Sequence, residues 1–187
     1  MKNKLRFLGF IGLASTLVSC GSSPFDDDIS FLNEHGVAFY YCGNESNIFS
    51  KIDNYFELST TNLPEAFPLM SSFVIDVSNM SHLITENYLD ELFSFFNHDK
   101  YVYVMFANFN KDLSFLANSY FAEAWGQCDK ELSEDLVVFY NNGRHDYLSI
   151  SSFSFSYTNE RDYTIENYQK SIVNTYCEFV KNALLDS

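Results

Sequence analysis

Four apolar runs of strand length alternate with segments of helical periodicity, and this alternation constrains the fold more than any other feature. The runs are Val37–Cys42, Phe73–Val77, Tyr101–Ala107 and Leu136–Tyr140. Apart from Asp76, each run is apolar throughout rather than at every second residue, so both faces of the predicted strands should be buried. A sheet covered by helices on both sides provides that burial.

Segments with the apolar spacing of amphipathic helices surround these runs. They are 27–35, which ends at Gly36, then 44–57, 85–97, 111–125 and 163–185. Connections of the strand–helix–strand type make neighbouring strands parallel. Tyr147–Tyr157 follows the turn signal Asn142-Gly143 and should pair antiparallel with the strand before it, with a bulge near Ser151. We therefore predict a three-layer α/β/α sandwich, with a mostly parallel sheet of about five strands and an antiparallel C-terminal hairpin edge.

The N-terminal residues have the pattern of an export signal. Lys2, Lys4 and Arg6 precede an apolar run over residues 7–18, which is short for a bilayer span of about 20 apolar residues. The run ends in Leu17-Val18-Ser19-Cys20, which resembles the lipobox of bacterial lipoproteins. The resemblance implies lipid on the Cys20 sulfur, cleavage before Cys20 and a further acyl chain on the new amino group. A plain signal peptide or a short membrane anchor is the alternative.

On this interpretation the chain has three parts. Residues 1–19 are a lipoprotein signal peptide, residues 20–28 are the lipidated Cys20 with a tether, and residues 29–187 are a single α/β globular domain. The protein would be exported and lipid-anchored to a bacterial membrane of the cell envelope. Each buried methylene contributes about 0.8 kcal/mol, so two or more acyl chains give stable attachment.

The charge balance limits the partners. Without the leader, the chain carries 8 basic and 25 acidic residues, a formal charge of −17. Such a surface repels phosphate, which argues against nucleic-acid binding and against electrostatic attachment to anionic headgroups. Lipid, rather than charge, must then attach the protein to the membrane.

The remaining cysteines give little information on function. Cys42, Cys128 and Cys177 are an odd number, so at most one internal disulfide can form. Their spacing matches no zinc or redox signature. Buried free thiols are the favoured interpretation.

Short polar residues follow the predicted strands, where they could form a ligand site. They are Asn44, Asp76, Ser78, Asn79, Asn108, Asn110 and Asn141. The carboxyl ends of parallel strands share one rim of the sheet, and ligands bind there in open α/β folds. The same residue types also cap helices, which is the structural alternative.

Asp76 and Ser78 also carry a local resemblance. The segment 74–81 (VIDVSNMS) resembles the start of a von Willebrand factor A-type domain, where an Asp-x-Ser-x-Ser motif helps hold a divalent metal. The resemblance implies a metal site at Asp76 and Ser78. Met80 stands at the place of the second Ser, and its thioether offers no hard oxygen for magnesium. The motif also falls on the second predicted strand rather than the first, and we predict no cofactor.

Sequence patterns of common enzymes are missing. The chain has no Gly-rich phosphate loop and no Gly-x-Ser-x-Gly elbow, and its four histidines are isolated. We therefore expect a binding or interaction module of the cell envelope rather than an enzyme, with an envelope protein or a small polar ligand as partner. An anchored hydrolase-like or metal-binding domain centred on Asp76 is the alternative.

Overall fold

The strands form a single mixed sheet in the part of the chain that the computed structural model describes. Its described residues are 24–43, 46–58, 70–80, 102–109, 113, 135–140, 149–157 and 159–185. Within them the sheet has six strands in the order β2-β1-β3-β4-β5-β6. The strands are β1 (Phe39–Cys42), β2 (Tyr55–Leu58), β3 (Ser72–Asp76), β4 (Tyr103–Ala107), β5 (Leu136–Tyr140) and β6 (Ser149–Phe153). The predicted α/β class is confirmed.

The direction of the strands decides which residues meet at each end of the sheet. Strands β2, β1, β3 and β4 are parallel neighbours, whereas β5 is antiparallel to β4 and β6 is antiparallel to β5. Asp76 pairs with Ala107, and Ala107 pairs with Leu136. The carboxyl ends of β1, β3 and β4 therefore lie beside the amino end of β5. We call this end of the sheet the strand-end rim and define it by Gly43, Asp76, Asn108 and Asp135.

The predicted parallel direction of β5 is wrong, since β5 is antiparallel to β4, and two local predictions are wrong as well. The segment 44–57 was predicted as a helix, but its described part contains only a short 3-10 helix, η1 (Phe49–Lys51), followed by the edge strand β2. The hydroxyl of Ser46 accepts the backbone N–H groups of Ile48 and Phe49, each at 3.2 Å, and so caps this turn. The bulge predicted near Ser151 is also missing, because the β5–β6 register runs unbroken.

The described helices are α1 (Pro24–Glu34), the single turn α2 (Val77–Met80) and α3 (Ile165–Leu185), with a second 3-10 helix, η2 (Glu160–Asp162). Gly36 has φ of +61° just after α1, the left-handed conformation in which glycine ends helices. The helices predicted at 85–97 and 111–125 lie outside the described residues.

Helices α1 and α3 lie side by side and run in the same direction. Lys170 Nζ is 5.7 Å from the ring centroid of Phe25, and Lys181 Nζ is 5.5 Å from that of Phe31. Ile165, the first residue of α3, lines a cavity together with Asp76. Both helices therefore begin at the strand-end rim.

The main hydrophobic core lies between these two helices and one face of the sheet. It includes Phe39, Val74, Met105, Ile172 and Tyr176. The opposite face of the central strands is buried as well, for Phe73, Ile75, Val104 and Phe106 are each 0% exposed. Burial on both faces agrees with the layered arrangement predicted from the apolar strands.

Candidate functional site

Asp76 lies at the centre of the strand-end rim and accepts hydrogen bonds on both carboxylate oxygens. As the last residue of β3, it directly precedes α2. Its Oδ1 accepts the backbone N–H of Ser78 at 3.1 Å and the Ser78 hydroxyl. Asp favours this position because its short side chain bonds the N–H two residues further on, at the start of a helical turn. The first role of Asp76 is therefore to cap α2.

The other oxygen of Asp76 joins β3 to β1. Tyr41 donates its hydroxyl to Asp76 Oδ2 at 3.2 Å, and the bond is buried. Burial, and next the charge of Asp76, raise the pKa of Tyr41 far above its ordinary value. The phenol therefore stays protonated and remains a donor at neutral pH.

Gly43 allows this pair to form. A Cβ at this position would lie 2.4 Å from Tyr41 Cζ and 2.8 Å from Asp76 Cβ. Both separations are far below van der Waals contact, so the backbone after β1 can pass this close to Tyr41 and Asp76 only without a side chain.

A small cavity adjoins Asp76 on the helical side of the sheet. Its volume is about 10 Å³, roughly the room for one water molecule. It is lined by Tyr41, Phe49, Asp76, Ala107, Ile165, Tyr168, Gln169 and Ile172. Pockets for small-molecule ligands occupy about 300–1,000 Å³. This cavity is therefore far too small for a substrate.

Asp135 is a second buried carboxylate of the rim, and it was not foreseen. It is 0% exposed and directly precedes β5. Its Oδ2 accepts the N–H of Phe155 at 2.7 Å, and its backbone carbonyl accepts the hydroxyl of Tyr168 at 2.7 Å. The available signal was an acid placed immediately before a fully apolar strand.

The predicted ligand residues are only partly brought together. Asp76, Ser78 and Asn108 meet at the strand-end rim, and Asn108 donates its N–H to the Asp135 carbonyl at 3.1 Å. Asn79 lies in α2. The others, Asn44, Asn110, Asn141 and the lipidation residue Cys20, lie outside the described residues.

The carboxyl ends of four strands were expected to meet at the rim, but the carboxyl end of β5 does not lie there. The fourth strand was predicted to run parallel to the third, which would bring its carboxyl end to the rim. Because β5 is antiparallel, its last residue, Tyr140, pairs with Tyr103 at the other end of the sheet. Asp135 takes the place at the rim instead.

The prediction of buried free thiols is confirmed for Cys42 and Cys177, the two that the structure describes. Cys42 and Cys177 are free and buried, whereas Cys128 lies outside the described residues. Burial, and next the nearby charge of Asp76, raise the pKa of Cys42 to about 11. Burial and the Asp28 carboxylate raise the pKa of Cys177 to about 12. Both thiols are therefore protonated and poor nucleophiles at neutral pH.

The hydrogen bonds of Asp76 and Asp135 at the rim suit a role in stabilising the fold better than a role in catalysis. Asp76 bonds groups of β1 and α2, and Asp135 bonds Phe155, two residues after β6, and Tyr168 of α3. Within the described ranges, no cluster of three or more His, Cys, Asp or Glu residues could hold a metal ion.

No family model, curated protein or solved structure matches this chain. Among the helices that the structure describes, none combines the length and the apolar character needed to cross a bilayer. A function is therefore inferred from the residues and their geometry.

Proposed function

We propose that this chain is a bacterial lipoprotein, exported and held on a membrane of the cell envelope by lipid on Cys20, and that its α/β domain is a binding or interaction module there. The observation that carries the proposal is the sequence Leu17-Val18-Ser19-Cys20 after a basic start and a short apolar run. The acyl chains attach the domain to the membrane without any transmembrane helix.

The geometry of the strand-end rim favours a module over an enzyme. Asp76 was the best candidate for a catalytic or metal-binding residue, and it accepts hydrogen bonds from Tyr41 and Ser78. The cavity beside it has room for about one water molecule. A hydrolase needs space for its substrate next to the reacting groups.

The charge of the mature chain indicates what kind of partner it binds. A formal charge of −17 for residues 20–187 disfavours polyanions such as nucleic acids. A protein of the envelope or a small polar ligand is compatible with that charge.

Fatty-acid labelling in a bacterial host tests the anchor. The wild-type chain is expected to incorporate labelled palmitate and to float with membranes, whereas Cys20→Ala should incorporate none. Cys42→Ala is the matched control, because it removes a buried thiol and leaves Cys20 intact. Labelling that persists in Cys20→Ala, or that is lost in Cys42→Ala, would refute lipid attachment at Cys20.

Thermal melts with magnesium test the metal-binding alternative. If Asp76 and Ser78 hold a divalent cation, magnesium will raise the melting temperature of the wild type more than that of Asp76→Ala. The module proposal predicts the same response to magnesium in both proteins.

A further inference from the structure

We infer that the strand-end rim and the first turn of α3 face the headgroup layer of the membrane that carries the anchor. This inference rests on the proposed lipidation of Cys20. It adds an orientation, and it names the surface of the domain that meets lipid.

The first argument is the length of the tether. Helix α1 begins at Pro24, four residues after Cys20. Four residues span at most roughly 14 Å, whatever their conformation. The acyl chains of Cys20 must lie in the hydrocarbon core, and the headgroup layer above it is roughly 5–7 Å thick. Pro24 can therefore lie no more than roughly 9 Å above the headgroups, which is less than the diameter of a helix with its side chains.

The second argument is the position of Pro24 on the domain. Phe25 lies against Lys170, five residues into α3, and Ile165 of α3 lines the cavity beside Asp76. The tether therefore joins the domain at the end where the rim lies. The far end of α3 is roughly 30 Å away along the helix axis.

The third argument is the character of the surfaces next to Pro24. At the rim, Ile165 is 50% exposed in the first turn of α3, and an apolar side chain there is suited to the interface of a bilayer. Exposed acidic residues lie towards both ends of α1 and α3, with Asp26, Asp27 and Glu166 in the first turns and Glu34 and Glu178 further along, so charge does not favour either end.

Two exposed aliphatic residues at opposite ends of α3 provide a matched test. Ile165 is 50% exposed and Leu185 is 84% exposed, so exposure alone would favour contact at Leu185. Ile165→Trp and Leu185→Trp are prepared as full-length lipidated proteins and reconstituted in phosphatidylcholine vesicles that carry a nitroxide on the headgroup. The parent protein, whose single tryptophan is Trp125, provides the baseline for quenching.

We expect the nitroxide to quench the fluorescence of Ile165→Trp beyond the baseline and to leave Leu185→Trp at the baseline. Equal quenching of both variants, or quenching of Leu185→Trp alone, overturns the orientation. A wild-type chain that fails to float with the vesicles refutes the anchor itself, and this separate measurement distinguishes the two failures.

A longer tether tests the cause of the orientation. Twelve Gly and Ser residues inserted between Ser23 and Pro24 keep the lipid and the domain unchanged. The tether then has a root-mean-square length of roughly 20–24 Å, so quenching of Ile165→Trp should fall to the baseline while flotation persists. If Ile165→Trp is still quenched after the insertion, the short tether is not the cause of the orientation.

Discussion

Tyr41 on β1 donates a buried hydrogen bond to Asp76 at the end of β3, with 3.2 Å between Oη and Oδ2. The two strands are parallel neighbours, so this bond fastens their carboxyl ends to each other. Ser78 bonds the other oxygen of the same carboxylate. The side chain of Asp76 thus connects β1, β3 and the helical turn α2.

Tyr41→Phe should lower the free energy of unfolding by about 1–3 kcal/mol, because it removes a buried donor from a charged acceptor. Tyr140→Phe is the control, since it removes a hydroxyl from a half-buried ring of β5 and should change stability by no more than about 0.5 kcal/mol. Urea unfolding of the chain from Ser22 onward measures both values. Equal losses in the two variants would contradict the role of the Tyr41–Asp76 bond.

Asp135→Ala should lower the free energy of unfolding by about 2–3 kcal/mol, because the N–H of Phe155 loses a buried acceptor. Asp135→Asn keeps an oxygen at that place and should recover part of the loss. Denaturant titrations of the two variants give the comparison. If Asn were as damaging as Ala, the hydrogen bond to Phe155 would not be the cause.

Asp28→Ala should lower the free energy of unfolding by about 1–2 kcal/mol, because Asp28 joins the two helices of the described layer. Asp28 is 6% exposed. Its carboxylate accepts a hydrogen bond from Nδ2 of Asn174 at 2.8 Å, and it lies 3.5 Å from Nζ of Lys181. Glu34→Ala, at the exposed last residue of α1, should cost no more than about 0.5 kcal/mol. Similar melting temperatures for the two variants would argue against this contact.

Stability should fall as the pH rises above about 9, where thiols begin to ionise in the unfolded chain. Burial raises the pKa of Cys42 to about 11 and that of Cys177 to about 12, so both thiols keep their protons when folded. The unfolded chain then binds fewer protons than the folded one, and the free energy of unfolding decreases with pH up to the folded pKa values.

Urea unfolding at about pH 8 and about pH 9.5, where most tyrosines of the unfolded chain (ordinary pKa about 10) still keep their protons, measures this loss. Replacement of both residues, Cys42→Ala with Cys177→Ala, removes the titrating thiols and should flatten the dependence. An equally steep decline in the double variant would assign it to other groups.

Much of the fold could be predicted from apolar patterning. The strands β1, β3, β4 and β5 lie within or almost within the four apolar runs, and α1 and α3 match their predicted segments to within three residues. These elements bury long apolar stretches, and the burial fixes both their type and their place. Gly36 ended α1 as expected, because its φ of +61° suits glycine.

The edge strand β2 could not be predicted, because its pattern is ambiguous. Ile48, Ile52, Tyr55 and Phe56 have the spacing of a helix face, yet the chain turns at η1 and then extends along β1. Short segments at a sheet edge bury little surface, so periodicity does not decide their conformation. The hydrogen bonds that decide it come from β1, which is distant in sequence from β2.

The direction of β5 could not be predicted from the sequence either. An apolar strand looks the same whether it runs parallel or antiparallel to its neighbour, and the connection from β4 is long enough for either direction. The error placed the carboxyl end of β5 at the predicted site and left Asp135, just before the amino end of β5, unnoticed. Asp76 was found because a carboxylate at the end of an apolar strand must be satisfied by nearby donors.

The contact of Asp28 with Asn174 and Lys181 has a consequence for the order in which this protein matures. The helical layer needs residues from both ends of the domain, so it cannot close until residues 165–185 have been synthesised. On the export route proposed above, a nascent chain would therefore remain open while it is threaded through a translocation channel. On that route, the domain would become compact on the far side of the membrane, once both helices have arrived there.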